Sequence, residues 1–255
     1  MREFIRSGAV PAPSMTAGRF RLSGRLSWRD PDIEATLVIS QPDVDPELWG
    51  EFARGAEHSY RKHGVECALD VDVLRTGSDT LMFCAAIGDD GQMLAGLRAK
   101  GPLRSADDSH AMVEWEDQPG QQMVRDMITD RIPFGVMEMK SGWVIDDSDT
   151  NRSLTTALAR SGFYMSSLTG FQFFMATAAA FVINRWKSSG GLVAPIPATP
   201  YPDERYQTKM IWWDSRDFIN YAEPGQVAKI LTENELLTRE IHRRGDLAST
   251  WQEVV

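Results

Sequence analysis

Apolar and polar positions follow two rhythms along this chain, one repeating every other residue and one every third or fourth, and the switches between them predict the elements. Ala35 to Ser40 is a short β-prone run closed by Gln41-Pro42-Asp43. Asp45 then reads as a helix N-cap with Pro46 at the first helical position. Leu48, Phe52, Ala56 and Tyr60 form one stripe beyond it, with Trp49 and Ala53 alongside, until Lys62, His63 and Gly64 end the helix. Thr80–Ile87 and Met93–Arg98 are apolar runs joined by Gly88-Asp89-Asp90-Gly91, a hairpin signal. His110–Trp115 reads as a further strand or strand extension, Gln121–Thr129 as a short helix and Phe134–Ile145 as a central strand, apolar with few breaks apart from Glu138 and Lys140.

After the acidic turn Asp146-Asp147-Ser148-Asp149 a helix is predicted from Asn151 to Met165. A buried strand follows at Phe171–Thr177, a helix at Ala178–Lys187, and a strand at Leu192–Ile196. A loop with Pro195, Pro197, Pro200 and Pro202 leads to a last strand, Tyr206–Trp213. The C-terminal helix spans Pro224 to Arg244 and aligns Val227, Ile230, Leu231, Leu237 and Ile241 before Gly245. Residues 18–30 read at most as a short hairpin around Ser23 and Gly24. The organisation expected is a flexible arm (1–34), a body of α/β class with a mixed central sheet of about seven strands flanked by helices (35–222), and a C-terminal helix and tail (223–255).

Composition changes this picture little. With 42% hydrophobic and 25% charged residues, the 255-residue chain has the make-up of a globular domain able to bury a sizeable core. The net charge of −9 argues against a general nucleic-acid partner, which needs a surplus of Lys and Arg on one face. The two cysteines, Cys67 and Cys84, have no metal-ligand or redox spacing and read as buried thiols. Met1–Gly18 lacks the continuous apolar stretch of a signal peptide, and Phe171–Ile183 is too short to span a bilayer, so a cytoplasmic protein without a membrane span is expected.

Strand, helix, hairpin, strand, helix, strand, helix, strand, strand is an order that resembles the GNAT superfamily of acyltransferases, over roughly residues 35 to 214. Phe171–Gly191 looks like that family's fifth strand, fourth helix and following turn. Trp143–Leu158 occupies the place of its pyrophosphate loop and third helix. The R/Q-x-x-G-x-G/A signal is replaced there, with Asp149, Arg152 and Leu154 at the Arg/Gln and glycine positions. Val144, Asn151, Arg152, Ser153 and Thr155 are the residues left to meet a phosphate-bearing donor, through a helix N-terminus and its hydroxyls. The departure points to a sub-branch. Gly96-Leu97-Arg98 with Pro102 is similar to a strand end of acyl-homoserine-lactone synthases and N-acyl amino acid synthases. Met137–Val144 is similar to their W-E-x-S-R-F-x-V strand, with Glu138 at the glutamate and no arginine after it.

The resemblance implies transfer of an acyl group from acyl-CoA or acyl carrier protein to an amine or amino-acid-like acceptor, with no permanently bound cofactor or metal and a homodimer as one option. The alternative is a module of the same fold without catalysis that binds an acyl carrier or a protein partner. Glu138 is the first candidate base, because a carboxylate in an apolar strand suits proton abstraction; pairing with Lys140 is its bland counterpart. Glu114 and Glu116 flank Trp115 on the expected strand, with His110 four residues before Glu114, and would bind or deprotonate an amine or simply line a solvated face. Arg98 and Lys100 are candidates to clamp a carboxylate, Trp143 to line the substrate site, and Tyr206, in a loop that also holds Tyr201, to protonate a departing thiolate. His58, His63 and His242 read as non-metal residues. The fold resemblance further predicts a V-shaped split between the central strand and the next, with Glu138 lining it.

Overall fold

The computed structural model describes residues 18–145, 151–244 and 252–253. The expected arm up to residue 17, the acidic turn at 146–149 and the Gly245 stop lie outside them. Strand β1 (Gly18–Arg19) pairs with a two-residue strand near the C-terminus, and β2 (Leu26–Asp30) forms an antiparallel hairpin with β3 (Ala35–Ser40). The sheet therefore begins inside the segment expected to be a flexible arm. The turn lies at 31–34, not at Ser23–Gly24, because Leu26, Trp28 and Asp30 point inward while Ser27 and Arg29 point out, a period-two pattern masked by its charged residues.

Helix α1 (Pro46–Lys62) starts as expected, with the Asp45 carboxylate accepting from the Leu48 N–H. After α2 (Val71–Thr76), β4 (Thr80–Ile87) and β5 (Met93–Lys100) form the hairpin. His110–Trp115 is not a strand. Ala111–Glu114 is a single helical turn, α3, started by the Ser109 hydroxyl accepting from the Ala111 N–H and burying Ala111, Met112 and Trp115 while Val113 faces out. Helix α4 (Gln121–Thr129) precedes the central strand β6 (Val136–Val144). The helix expected over 151–165 is broken into α5 (Asn151–Leu158) and α6 (Ser161–Thr169), where Arg160 turns its side chain into a buried polar network. Strand β7 (Phe173–Ala179) and the short helix α7 (Ile183–Lys187) come next. β8 is only Leu192–Val193, since Pro195 and Pro197 offer no N–H to a ladder. β9 (Thr208–Asp214), α8 (Pro224–Arg244) and β10 (Gln252–Glu253) complete the chain.

Eight strands form one mixed sheet in the order β2-β3-β4-β5-β6-β7-β9-β8, and β10 is the partner of β1. Only β6 and β7 run parallel. Strand parity sorts the side chains. Phe83, Ala85, Phe173 and Met175 face α1 to α4, whereas Met82, Cys84, Phe174 and Ala176 face α5, α6 and α8. Helix α8 covers its own sheet through Ile230 and Leu237 and is tied down by Arg160, which donates to Asp30 (2.6 Å) and Glu233 (3.1 Å). No helix among the described residues is long and apolar enough to cross a membrane.

Candidate functional site

The site arises from one extra residue in β6. Lys140 opposes Arg98 and Trp143 opposes Gly96, so Ser141 and Gly142 together face Leu97, and Ser141 sits at φ 51°. This is a β-bulge, which bends its strand and re-aims the side chains beyond it. Met137 and Met139 face α5 and α6, but Trp143, two further steps of the same parity, is packed against Phe52 of α1. The bend also ends the pairing with β7. The parallel ladder runs from Val136↔Phe173 to Met139↔Ala176 and stops, although β6 continues to Val144 and β7 to Ala179.

A cleft of about 520 Å³ opens where the strands part. Its walls are Met139 to Val144 of β6 and Ala176 to Ala179 of β7. Tyr60, Glu114 and Tyr201 close it on one face of the sheet, and Asn151, Thr155 and Trp186 on the other. The Ile145 N–H donates to Leu94, so by strand alternation beyond the bulge that of Val144 points away from β5, into the gap. A main-chain donor thus faces a mostly apolar slot.

A polar cluster lies at its inner end. The α3 turn brings His110 and Glu114 beside β6 and β7. Glu114 Oε1 accepts from the Thr177 hydroxyl (2.8 Å) and lies 3.5 Å from Lys140 Nζ and 3.8 Å from His110 Nε2. Lys140 is shared with Glu138, 3.9 Å away, and Glu138 Oε2 accepts from the His110 N–H. His110 Nε2 is also 2.8 Å from the Tyr201 hydroxyl. Glu114 Oε2 and Glu138 Oε1 are buried without a hydrogen-bond partner among the described residues.

Burial, reinforced by the charge of Glu138, pushes the Glu114 carboxyl above the usual range despite opposing pulls from Lys140 and Thr177. Burial, with Lys140, Lys100 and Arg98 nearby, pulls His110 down to about 3, so it is neutral near pH 7. Burial holds the Tyr60 and Tyr201 hydroxyls up at about 12.

The structure redistributes the residues expected from sequence. Glu138 is fully buried in the still-paired part of β6, opposite Met175, and does not line the cleft; Glu114 does. Arg98 is buried and committed to Asp79 (2.5 Å), Thr80 and Ser141, and Lys100 approaches the same Asp79 (3.6 Å), so both are turned to a carboxylate of the protein itself. Tyr206 lines the cleft but packs against Phe181 and Arg205, and it is Tyr201 that joins the cluster. Trp143 and Val144 are in the wall, as are Asn151 and Thr155 at the start of α5; Arg152 and Ser153 point outward. Glu116 is exposed after the α3 turn, and Asp149 lies outside the described residues. Lys140, Tyr201, Thr177 and the bulge escaped selection. Ser141-Gly142 within a strand was the available signal for the bulge, and His110–Glu114 spacing marks one face only once α3 is known to be helical.

No protein-family model matches the chain. It is 52% identical over 224 residues to the uncharacterized protein Rv1356c of Mycobacterium tuberculosis and, with the same figures, to Mb1391c of Mycobacterium bovis, covering 88% of this chain and 85% of each relative. The chain belongs to their family. Among solved structures it is similar to BjaI, a CoA-dependent acyl-homoserine lactone synthase, at 12% identity and a TM-score of 0.49 over 77% of this chain and 88% of that one. It is also similar to FeeM, an N-acyl amino acid synthase from uncultured soil microbes, at 9% identity and a TM-score of 0.48 over 80% and 96%. An acyl-CoA N-acyltransferase from Pseudomonas aeruginosa gives 12% and 0.47 over 70% and 98%. These likenesses concern fold and bring no residue role or substrate to the family.

Proposed function

We propose that the chain is an N-acyltransferase that moves an acyl group from a thioester carrier, acyl-CoA or an acyl carrier protein, to an amine. The observation that carries this reading is the parting of β6 from β7 beyond Met139 and Ala176, where alternation along β6 turns the Val144 N–H toward the gap. A thioester lying along β6 would place its carbonyl oxygen against that donor, which becomes more valuable as the oxygen gains charge. The pantetheine arm would run through the apolar stretch at Val144, Ala178 and Val182 toward the start of α5, where Asn151 and Thr155 stand.

The acceptor nitrogen would meet Glu114. A substrate ammonium gives one proton to the Glu114 carboxylate, its nitrogen forms the bond to the acyl carbon, and the carbon–sulfur bond breaks. The second nitrogen proton passes to the departing sulfur, so the products are amide, thiol and one proton on Glu114. A carboxyl held above its usual range accepts that proton more readily than a solvated one. Glu138, behind the cleft, acts as a positioning residue, since it holds the His110 N–H and thereby the α3 turn that presents Glu114.

The test is turnover. Purified protein is incubated with acyl-CoA and acyl carrier protein donors and a mixture of primary amines. Free thiol is followed by absorbance and amides by mass spectrometry. Amide and thiol appearing in equal amounts support the proposal; folded protein that binds donors yet acylates nothing would sink it and favour the non-catalytic module.

A further inference from the structure

The two sides of the cleft differ in charge, and the difference bears on what meets each. On the side of α5 and α7 stand Asn151, Thr155 and Arg185, the last on a helix whose Ile183 packs into the core with α5 and α6. On the side of α1 and α3 stand Tyr60, His110, Glu114 and Tyr201, with Lys140 reaching in from β6. The acceptor belongs to this second side, because the carboxylate that takes its proton is there.

The basic groups that surround Glu114 are already partnered. Lys140 lies between Glu114 and Glu138, Arg98 is locked to Asp79 at 2.5 Å, and Lys100 leans on the same aspartate at 3.6 Å. Arg205 forms a two-pronged pair with Asp203, and the His63 ring is hydrogen-bonded to the Ser59 carbonyl. His110 is neutral near pH 7. An acceptor bringing its own carboxylate would find two buried carboxylates and, among the described side chains around Glu114, no uncommitted cation, and a desolvated charge without a counter-charge is strongly disfavoured. The wall there also carries three tyrosines, Tyr60, Tyr201 and Tyr206. Rings of this kind accept flat apolar groups and favour a nearby ammonium.

From this, and resting on the acyltransferase reading above, we infer that the acceptor is an arylalkylamine: a primary ammonium for Glu114, an aromatic ring for the tyrosine wall, and no carboxylate.

Matched pairs test it. Tyramine is compared with tyrosine and phenethylamine with phenylalanine, each also against the amino-acid methyl ester, using acetyl- to dodecanoyl-CoA and the same chains on acyl carrier protein. The amines are expected to exceed the amino acids in kcat/KM by about 100-fold or more, the scale on which a site rejects a group it leaves unpaired. The methyl esters, which keep the bulk and lose the charge, are expected to recover most of that factor. Amino acids acylated as well as the amines would overturn the inference while leaving acyl transfer intact. Esters rejected as strongly as the acids would overturn it too, by making size the criterion. No acylation of any acceptor by folded protein would remove the acyltransferase reading itself.

Discussion

Replacing Glu114 by Gln separates chemistry from folding at this site. The amide keeps the shape of the carboxylate, and its oxygen still accepts from the Thr177 hydroxyl, now 2.8 Å away. What disappears is the proton acceptor and the attraction to Lys140 at 3.5 Å. At an effective dielectric constant of about 20 that attraction is about 5 kcal/mol before desolvation. The desolvation of Glu114, buried and already carrying an oxygen without a hydrogen-bond partner among the described residues, opposes it, and Lys140 retains Glu138 at 3.9 Å. The net change in stability should therefore be small, about 1 kcal/mol. The change in rate should not be. Loss of a general base costs about 10²- to 10⁴-fold, or about 3–5 kcal/mol in the barrier.

A pH series adds a second readout with a definite sign. The folded-state pKa of Glu114 lies above the ordinary glutamate value of 4.5, so the folded chain holds this proton more tightly than the unfolded chain does. Its contribution to stability is then fully present below that value and is lost as pH rises toward the folded pKa. Gln has no such loss. In urea titrations the variant should gain on the wild type as pH rises from 4.5, while kcat/KM stays low throughout. A variant retaining wild-type kcat/KM within a factor of about three, well inside the range of base catalysis, would refute the role given to Glu114.

Two other perturbations probe the scaffold. Arg160→Met should destabilise by about 3–5 kcal/mol in urea unfolding, because it leaves Asp30 and Glu233 buried without the cation at 2.6 and 3.1 Å; a loss below about 1 kcal/mol would show that Lys229 and solvent suffice. Gly55→Ala, ordinarily worth about 1 kcal/mol of helix propensity, should instead lower stability by about 1–3 kcal/mol. The new Cβ would stand 2.1 Å from Trp143 Cζ2, and a raised unfolding midpoint would contradict that contact.

Much of the scaffold was legible because its signals are local. Asp45-Pro46 sets the start of α1, Gly88 to Gly91 joins β4 to β5, and α4 and α8 fall at the expected residues. The α3 turn was not legible. Over six residues a strand and a single helical turn leave nearly the same sequence trace, and only Val113 facing out while Ala111, Met112 and Trp115 are buried decides between them. The arm boundary failed for a related reason, since Asp30 is an inward residue of β2 that reads as polar until Arg160 is placed opposite it.

The site was legible as a place but not as a set of groups. Resemblance selected Glu138 and Arg98 by position along a strand, yet whether a strand residue meets a ligand depends on which neighbours have parted from it. Glu138 lies before the end of the β6–β7 ladder and Arg98 opposite Lys140 on the other flank, so both are enclosed by protein. Glu114 reaches the gap from a segment with no strand of its own. Tertiary pairing decided each case.

Two buried charge clusters in this chain make the distinction physical. In the first, Asp30 receives Lys229, the Asp32 N–H and Arg160, while Arg160 also serves Glu233 and Gln226, and Tyr164 donates to Glu233. Both oxygens of each carboxylate there are met, and the cluster ties α8 to β2 and α6. In the second, Glu114 and Glu138 share one lysine and each keeps a buried oxygen without a hydrogen-bond partner among the described residues. Stability alone does not account for the second arrangement, since apolar side chains of similar volume would cost less in the same space. A half-met carboxylate lining a cleft is explained if what completes it arrives with the substrate, and a proton from an ammonium is the partner that its raised affinity for protons would take.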